Sequence, residues 1–305
     1  MIKFIPHTRV DTDKWDECIR KSVNCLPYSF SWYLDIVCNN WDALVLNDYE
    51  AVFPLPSKTK FTINYSSTPF WVQQLGLFSK TCSALNRVDD FVEMIPKSYR
   101  FIELNMNFNS FVSSSNPSYV IETNTNFVLK LDKSYAVQSK LYSKNLKRNL
   151  KKTKYSALQL FKNDTPNVLI QLFREDKGKT IHHFSEADFK NLETIMHVAI
   201  YKHCGQIWMA YDEGNRPLAG LFLLFSPTRI VLLFTGNTKE GKEKAAMPFL
   251  IDSFIKEFAT SGLIFDFEGS KDINLARFYK SFGAHNESYQ SLKINRLPLL
   301  LRVLK

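Results

Sequence analysis

Hydrophobic and polar positions along the 305 residues switch between a period near 3.6 and a period of 2, with turn residues between. In the first half, Trp15–Ser22 and Phe30–Asn40 read as helices. Asp11 or Thr12 suits the start of the first, and Ser29 or Ser31 the start of the second. Ala43–Leu46 and Ala51–Leu55 read as paired strands across the turn Asn47-Asp48-Tyr49-Glu50. A strand over Phe61–Tyr65 and an aromatic stretch through Trp71 to Gly76 follow. Ser83–Ile95 carries Val88, Phe91, Val92 and Ile95 on one helical face. Phe101–Asn105 is a short strand, Ser110–Ser118 a loop, and Tyr119–Leu131 a strand that closes the first sheet.

The second half opens with Ser134–Lys154, a helix whose apolar stripe is Val137, Leu141, Leu146 and Leu150. Leu158–Phe161 is a strand, and Asn167–Arg174 and Glu186–Lys202 are helices, the latter starting on Ser185. Gln206–Tyr211, Leu218–Phe225 and Arg229–Thr235 form a three-stranded meander with turns at 212–215 and 226–228. A helix over Ala246–Thr260 leads to a buried strand at Ile264–Phe267, a turn at Gly269–Ser270, a helix starting at Asp272, and a stop at Gly283. Leu275, Phe278, Tyr279 and Phe282 share one side of that helix. Tyr289–Ile294 is a final strand. The domain boundary is expected between residues 132 and 133, giving an α/β (α+β) chain with domains 1–132 and 133–305.

Composition changes this picture little. At 45% apolar residues, with 25 Phe and 13 Tyr, the chain can bury a large core. Five scattered cysteines without CxxC spacing argue against a disulfide framework or a structural zinc site, and the simplest reading is reduced thiols in a cytoplasmic protein. No run of 18 apolar residues suggests a transmembrane helix. His182, His183, His197 and His203 fit no metal spacing, so no metal is expected.

Charge is more informative. The net charge is +9, and the segment from Lys133 to Tyr155 has eight cationic side chains and no acid. A helix lacking compensating Glu–Lys pairs favours a polyanionic partner. Lys144, Lys147, Arg148, Lys151 and Lys152 are its candidate phosphate contacts.

The stretch Ile264–Ala284 resembles the last strand–helix of GNAT acyltransferases, where an Asn, a Tyr seven residues on and a Gly-Phe four after that recur. Asp272, Tyr279 and Gly283-Ala284 occupy those places. It also resembles the end of FemAB-like aminoacyltransferases, in which a Lys often stands at the position of Tyr279; Lys280 is adjacent here. The segments SFSWYLDIV and FWVQQLGLFS look like the corresponding FemAB-like parts, and the element order of the second half is that of a GNAT domain. The resemblance implies a tandem-GNAT, FemX-like protein: two domains, each a mixed, mostly antiparallel sheet flanked by helices.

The implied activity is N-acyl transfer from acyl-CoA or aminoacyl-tRNA to a primary amine on a small molecule or peptide. Tyr279 would protonate the leaving group, since a phenol is protonated at neutral pH. Asp266 and Glu268, on one face of a strand by alternation, would orient or deprotonate the amine. Backbone N–H groups between Leu233 and Gly236 would hold the oxyanion. The coenzyme A pyrophosphate would sit on the loop containing Thr235, Gly236, Lys239, Gly241, Lys242 and Lys244, although its glycine spacing departs from the GNAT pattern. Trp71, Gln73 and Gln74 would line the acceptor groove. That departure leaves a second expectation, a non-catalytic binding or scaffold protein that keeps the fold without the donor site.

Overall fold

A computed structural model describes residues 1–38, 40–113, 116–176, 184–269 and 272–298. In chain order the first elements are β1 (Ile2–Ile5), α1 (Thr12–Lys21), α2 (Ser31–Val37), β2 (Trp41–Leu46), β3 (Ala51–Pro56), β4 (Lys58–Lys60), β5 (Ile63–Ser67), β6 (Phe78–Ser79), α3 (Cys82–Leu85), α4 (Val88–Glu93), β7 (Tyr99–Asn105) and β8 (Tyr119–Asn124). They are followed by β9 (Phe127–Lys130), α5 (Tyr135–Gln138), α6 (Lys144–Thr153), β10 (Gln159–Lys162), α7 (Pro166–Glu175), α8 (Glu186–Tyr201), β11 (Gly205–Tyr211), β12 (Pro217–Phe225) and β13 (Arg229–Asn237). The chain closes with α9 (Lys239–Glu243), α10 (Ala246–Glu257), β14 (Ile264–Asp266), α11 (Ile273–Lys280), β15 (His285–Asn286) and β16 (Tyr289–Asn295).

The chain forms two compact units. One comprises Met1–Thr125 together with the residues from Glu287 onward; the other is Asn126–Asn286. The first holds two sheets, ordered β1-β2-β3-β6 and β4-β5-β7-β16-β8. Its core packs Phe53 on Phe91, with Ile102, Leu104, Leu292 and Ile294 from the sheet. The second holds one seven-stranded sheet, β10-β11-β12-β13-β14-β9-β15, over a core that includes Trp208, Leu221, Phe254, Phe265 and Phe282.

The division differs from the expected 132/133 boundary in two ways. The stretch 119–131 is two strands, not one. Tyr119–Asn124 stays in the first unit, whereas Phe127–Lys130 pairs with Ile264–Asp266 in the second. Phe127, Leu129 and Leu131 are buried in the second core, which supplies the physical reason. Conversely, Tyr289–Asn295 returns to the first unit and lies between β7 and β8, burying Leu292 and Ile294 there.

Local signals account for several helix starts. Asp11 accepts from the Lys14 N–H, and Ser185 with Asp188 forms a full capping box. The long basic helix expected over 134–154 is broken. A short α5 and a 3-10 turn precede α6, which starts where the Ser143 hydroxyl accepts from the Leu146 N–H. The helix expected over 83–95 is likewise split into α3 and α4.

Candidate active site

The second unit's sheet opens at its centre. Strand β13 pairs parallel with β14 at Arg229↔Ile264, Ile230↔Phe265 and Val231↔Asp266, where β14 ends. β13 continues to Asn237, paired with β12 alone among the described residues. Its register slips between Leu232↔Leu223 and Phe234↔Phe222, so Leu233 is the extra residue of a bulge. Bulges disrupt the ladder locally and twist the strand. The result is a strand whose far half has one edge free of β14.

A cavity of about 300 Å³ lies in the opening. Leu232, Thr235, Gly236 and Asn237 of β13 form one wall, and Leu275, Phe278 and Tyr279 of α11 another. Met247, Pro248 and Ile251 of α10 line it as well, with Phe173 and Asp176 at the end of α7 and Lys242 on α9. Gly236 lets α7 come this close: a Cβ there would lie 3.0 Å from the Leu169 carbonyl oxygen and 3.1 Å from the Phe173 nitrogen.

Tyr279 stacks on Phe267 at 4.7 Å and is 7% exposed. Burial raises its pKa above the ordinary phenol value, and the negative charges of Glu268, Asp266 and Asp272 raise it further. The phenol is therefore protonated throughout the physiological range, the state a proton donor needs.

The two carboxylates singled out with it occupy other places. Asp266 is fully buried, receives the Arg229 guanidinium at 2.5 Å, and accepts from Asn126 Nδ2 at 2.8 Å and from the Glu268 N–H at 3.0 Å. Its oxygens are committed to holding the last β13–β14 rung and the turn beyond it. Glu268 lies past the end of the strand at φ 50°, so strand alternation does not set its direction. Neither residue lines the cavity. The carboxylate that does is Asp176, paired with Lys242. A helix C-terminal Asp carries no sequence signal for that placement, and tertiary packing alone brings it to the opening.

The loop expected to hold pyrophosphate is largely self-satisfied. Thr238 caps α9 by accepting from the Gly241 N–H at 2.9 Å. Gly241 is needed for packing, since a Cβ would lie 2.3 Å from the Leu218 carbonyl oxygen. Lys242 pairs with Asp176 and Lys244 with Glu240, the latter at 2.7 Å. Lys239 is exposed. Of the expected donor-site residues, Thr235, Gly236 and Lys242 line the cavity, whereas Leu233, Lys239, Gly241 and Lys244 do not.

On α6, Lys144, Lys147, Arg148, Lys151 and Lys152 are all exposed, and among the described residues none forms an ion pair. Trp71, Gln73 and Gln74 belong to the first unit. Trp71 has φ 65°, the Gln73 carbonyl accepts from Asn105 Nδ2 at 2.9 Å, and Gln74 is fully buried with its amide donating to Gln73 at 2.8 Å. Among the described residues no group of His, Cys, Asp and Glu is arranged to hold a metal ion; His182 and His183 lie outside them. No described helix is long and apolar enough to cross a membrane.

A parallel strand pair parting at a bulge, with a helix and its tyrosine beyond the break, defines the second unit as a GNAT-type acyltransferase fold. The chain has a FemX-like tandem GNAT fold. It is similar to the crystal structure of FemX at TM-score 0.70 and 11% identity, covering 99% of both chains. L-PGS from Bacillus licheniformis aligns at TM-score 0.59 and 10% identity over 96% of this chain and 94% of that one. A tandem GNAT protein from the clavulanic acid biosynthesis pathway aligns at 0.53 and 9%, over 98% and 99%. No family model and no curated protein sequence matches the chain.

Proposed function

We propose that the protein is an N-acyltransferase in which a primary amine attacks an activated acyl or aminoacyl carbonyl held at the open edge of β13. The observation that carries this reading is the parting of β13 and β14 with Tyr279 on the wall of the same cavity. The new C–N bond forms as the carbonyl oxygen gathers charge against backbone N–H groups of the segment Leu233–Gly236. Asp176 takes the amine's proton or holds the amine by charge. The bond to the donor oxygen or sulfur breaks, and Tyr279 delivers a proton to it. The phenol is then reprotonated from solvent.

Charge commitment favours aminoacyl-tRNA as donor. Two of the three lysines expected to grip coenzyme A are neutralised by Asp176 and Glu240, whereas the five cations on α6 form no ion pair among the described residues. An extended polyanion gains from such a row. Acyl-CoA is the second reading. Its support is α10, which starts at left-handed Ala245 without a side-chain cap beside the cavity-lining Met247 and Pro248, where a phosphate would be favoured.

The test is single-turnover transfer from labelled aminoacyl-tRNA and from labelled acetyl-CoA to an amine panel, with calorimetric titration of each donor. Loss of donor binding in a variant with the five α6 cations changed to Ala would support the tRNA reading. Acetyl-CoA binding that survives that change and is lost with Lys242→Ala would reverse the order. If neither donor binds, the non-catalytic scaffold reading leads.

A further inference from the structure

The cavity at the β13 opening changes character along the strand. Val231↔Asp266 is the last rung that β13 shares with β14, and Leu232 is the first residue beyond it. Leu232 shares the lining with Met247 and Ile251, one turn apart on α10, and with Leu275 and Phe278, three residues apart on α11. None of these five side chains carries a hydrogen-bonding group. Leu232, Met247 and Ile251 are buried, whereas Leu275 and Phe278 keep apolar surface that a guest would cover. Polar lining belongs to the other end. Asn237 closes β13, roughly 15 Å along an extended strand from Leu232. Among the described residues the charged groups of the lining are Asp176 and Lys242, and they pair with each other.

We infer that the apolar end selects the substituent of the acyl group, and that it takes a bulky apolar one: a branched aliphatic chain or an aromatic ring. The cavity measures about 300 Å³, far more than a methyl group fills. A glycyl or alanyl group would leave the five apolar walls facing a void or water, and their dispersion contacts would be forfeited. Each further methylene buried on such walls favours binding about fourfold. A charged substituent loses its hydration there and gains no partner, because the two charged lining groups are committed to each other. With the carbonyl at the open edge of β13, the substituent occupies the Leu232 end and the attacking amine the Asp176 end, so the two do not compete for space. That the selected group is the one transferred rests on the proposed reaction. The preference of the cavity for it does not.

The test separates binding from transfer. Binding is read by ligand-observed NMR titration with the unreactive N-acetyl amides of leucine, phenylalanine, alanine, glutamine and lysine. The leucine and phenylalanine probes should bind at least tenfold more tightly than the other three. Leu275→Glu puts a carboxylate in the apolar wall. It should weaken the leucine and phenylalanine probes at least tenfold and move the preference towards the lysine probe. Leu275→Gln, which keeps the wall neutral, should weaken them in the same direction, and circular dichroism checks that both variants fold. Ile273 stands on the same helix, is 73% exposed and does not line the cavity. Ile273→Glu should therefore leave every probe within twofold. Transfer is read as kcat/KM for leucyl, phenylalanyl, alanyl and lysyl donors, and should follow the same order.

Tight binding of the two bulky apolar probes that depends on Leu275 and not on Ile273 supports the inference. It is overturned if no probe binds, if the alanine, glutamine or lysine probe binds as well as the leucine probe, or if both Leu275 variants leave binding unchanged. It is equally overturned if Leu275→Glu and Ile273→Glu weaken the leucine probe to the same extent. Transfer that is fastest from an alanyl or lysyl donor overturns the inference and leaves the proposed function standing. Selective binding without transfer from any donor does the reverse: it removes the proposed function and leaves the selectivity of this cavity in place.

Discussion

The guanidinium of Arg229 and the carboxylate of Asp266 meet at 2.5 Å, and their side chains are 1% and 0% exposed. Arg229 opens β13 and Asp266 ends β14, so the pair spans the three rungs before the strands separate. Breaking a buried pair leaves one charge uncompensated and costs about 3–5 kcal/mol. Asp266→Ala should therefore lower the urea midpoint severely. Arg229→Met/Asp266→Leu, which removes both charges, should recover most of the loss. A double variant no more stable than Asp266→Ala would show that the charges themselves are required.

Tyr279 yields a kinetic prediction. If it donates the proton in the proposed transfer, Tyr279→Phe should lower kcat about 100-fold or more. Because burial and the neighbouring carboxylates hold the phenol above its ordinary pKa, the wild-type rate should show no alkaline loss from this group between about pH 7 and 9.5. A pH–rate profile for both proteins checks this. A descending limb near pH 8 that is abolished in the Phe variant would contradict it.

Two glycines should lose stability on gaining a methyl group for different reasons, and only one should affect ligand binding. In Gly241→Ala the new Cβ would lie 2.3 Å from the Leu218 carbonyl oxygen and 2.5 Å from Asn237 Oδ1, so α9 must move off β12. The expected loss is about 1–3 kcal/mol or more, with weakened binding of any ligand that reaches Lys242. Gly262 has φ 75° and nothing within 4 Å, so Gly262→Ala carries only the left-handed backbone cost, roughly 1–2 kcal/mol, and leaves ligand binding unchanged. Equilibrium unfolding with donor titration separates the two.

Asp252 on α10 gives stability a pH dependence. Burial raises its pKa, while the Tyr135 and Tyr142 hydroxyls and Lys256 pull the other way without cancelling the rise. Tyr135 reaches both carboxylate oxygens, at 2.9 and 3.0 Å. Folding favours the protonated acid, so this group's contribution is greatest below its unfolded pKa, about 3.9, and is lost as pH rises through the folded value. Asp252→Asn removes that loss. Its stability relative to the wild type should improve between pH 4 and pH 7 in urea titrations, and a constant difference across that range would refute the assignment.

The strand–helix pair β14–α11 was legible in sequence because every signal there is local. Asp272 caps, Gly283 adopts φ 85° at the stop, and Tyr279 falls on the buried face. The same periodicity located β11–β13 and α8. Strand membership was not legible, because pairing partners are chosen at long range. Phe127–Lys130 has the alternation of a strand in either unit, and only its contact with β14 decides which. The break before α6 carried a faint signal, Ser143 three residues before Leu146, masked by the lysines around it. Asp266 illustrates the opposite limit. A carboxylate within an apolar strand marks a special site, but sequence does not distinguish an acid facing substrate from one facing Arg229.

The return of β16 to the first unit has a consequence for synthesis. Translation normally lets the earlier domain close before the later one exists. Here the residues from Asn126 to Asn286 form a continuous unit, whereas the sheet β4-β5-β7-β16-β8 has a gap between β7 and β8 until Tyr289–Asn295 leaves the ribosome. The part made first is finished last, and a nascent chain stalled after β8 but before residue 289 carries two strand edges waiting for the same missing partner.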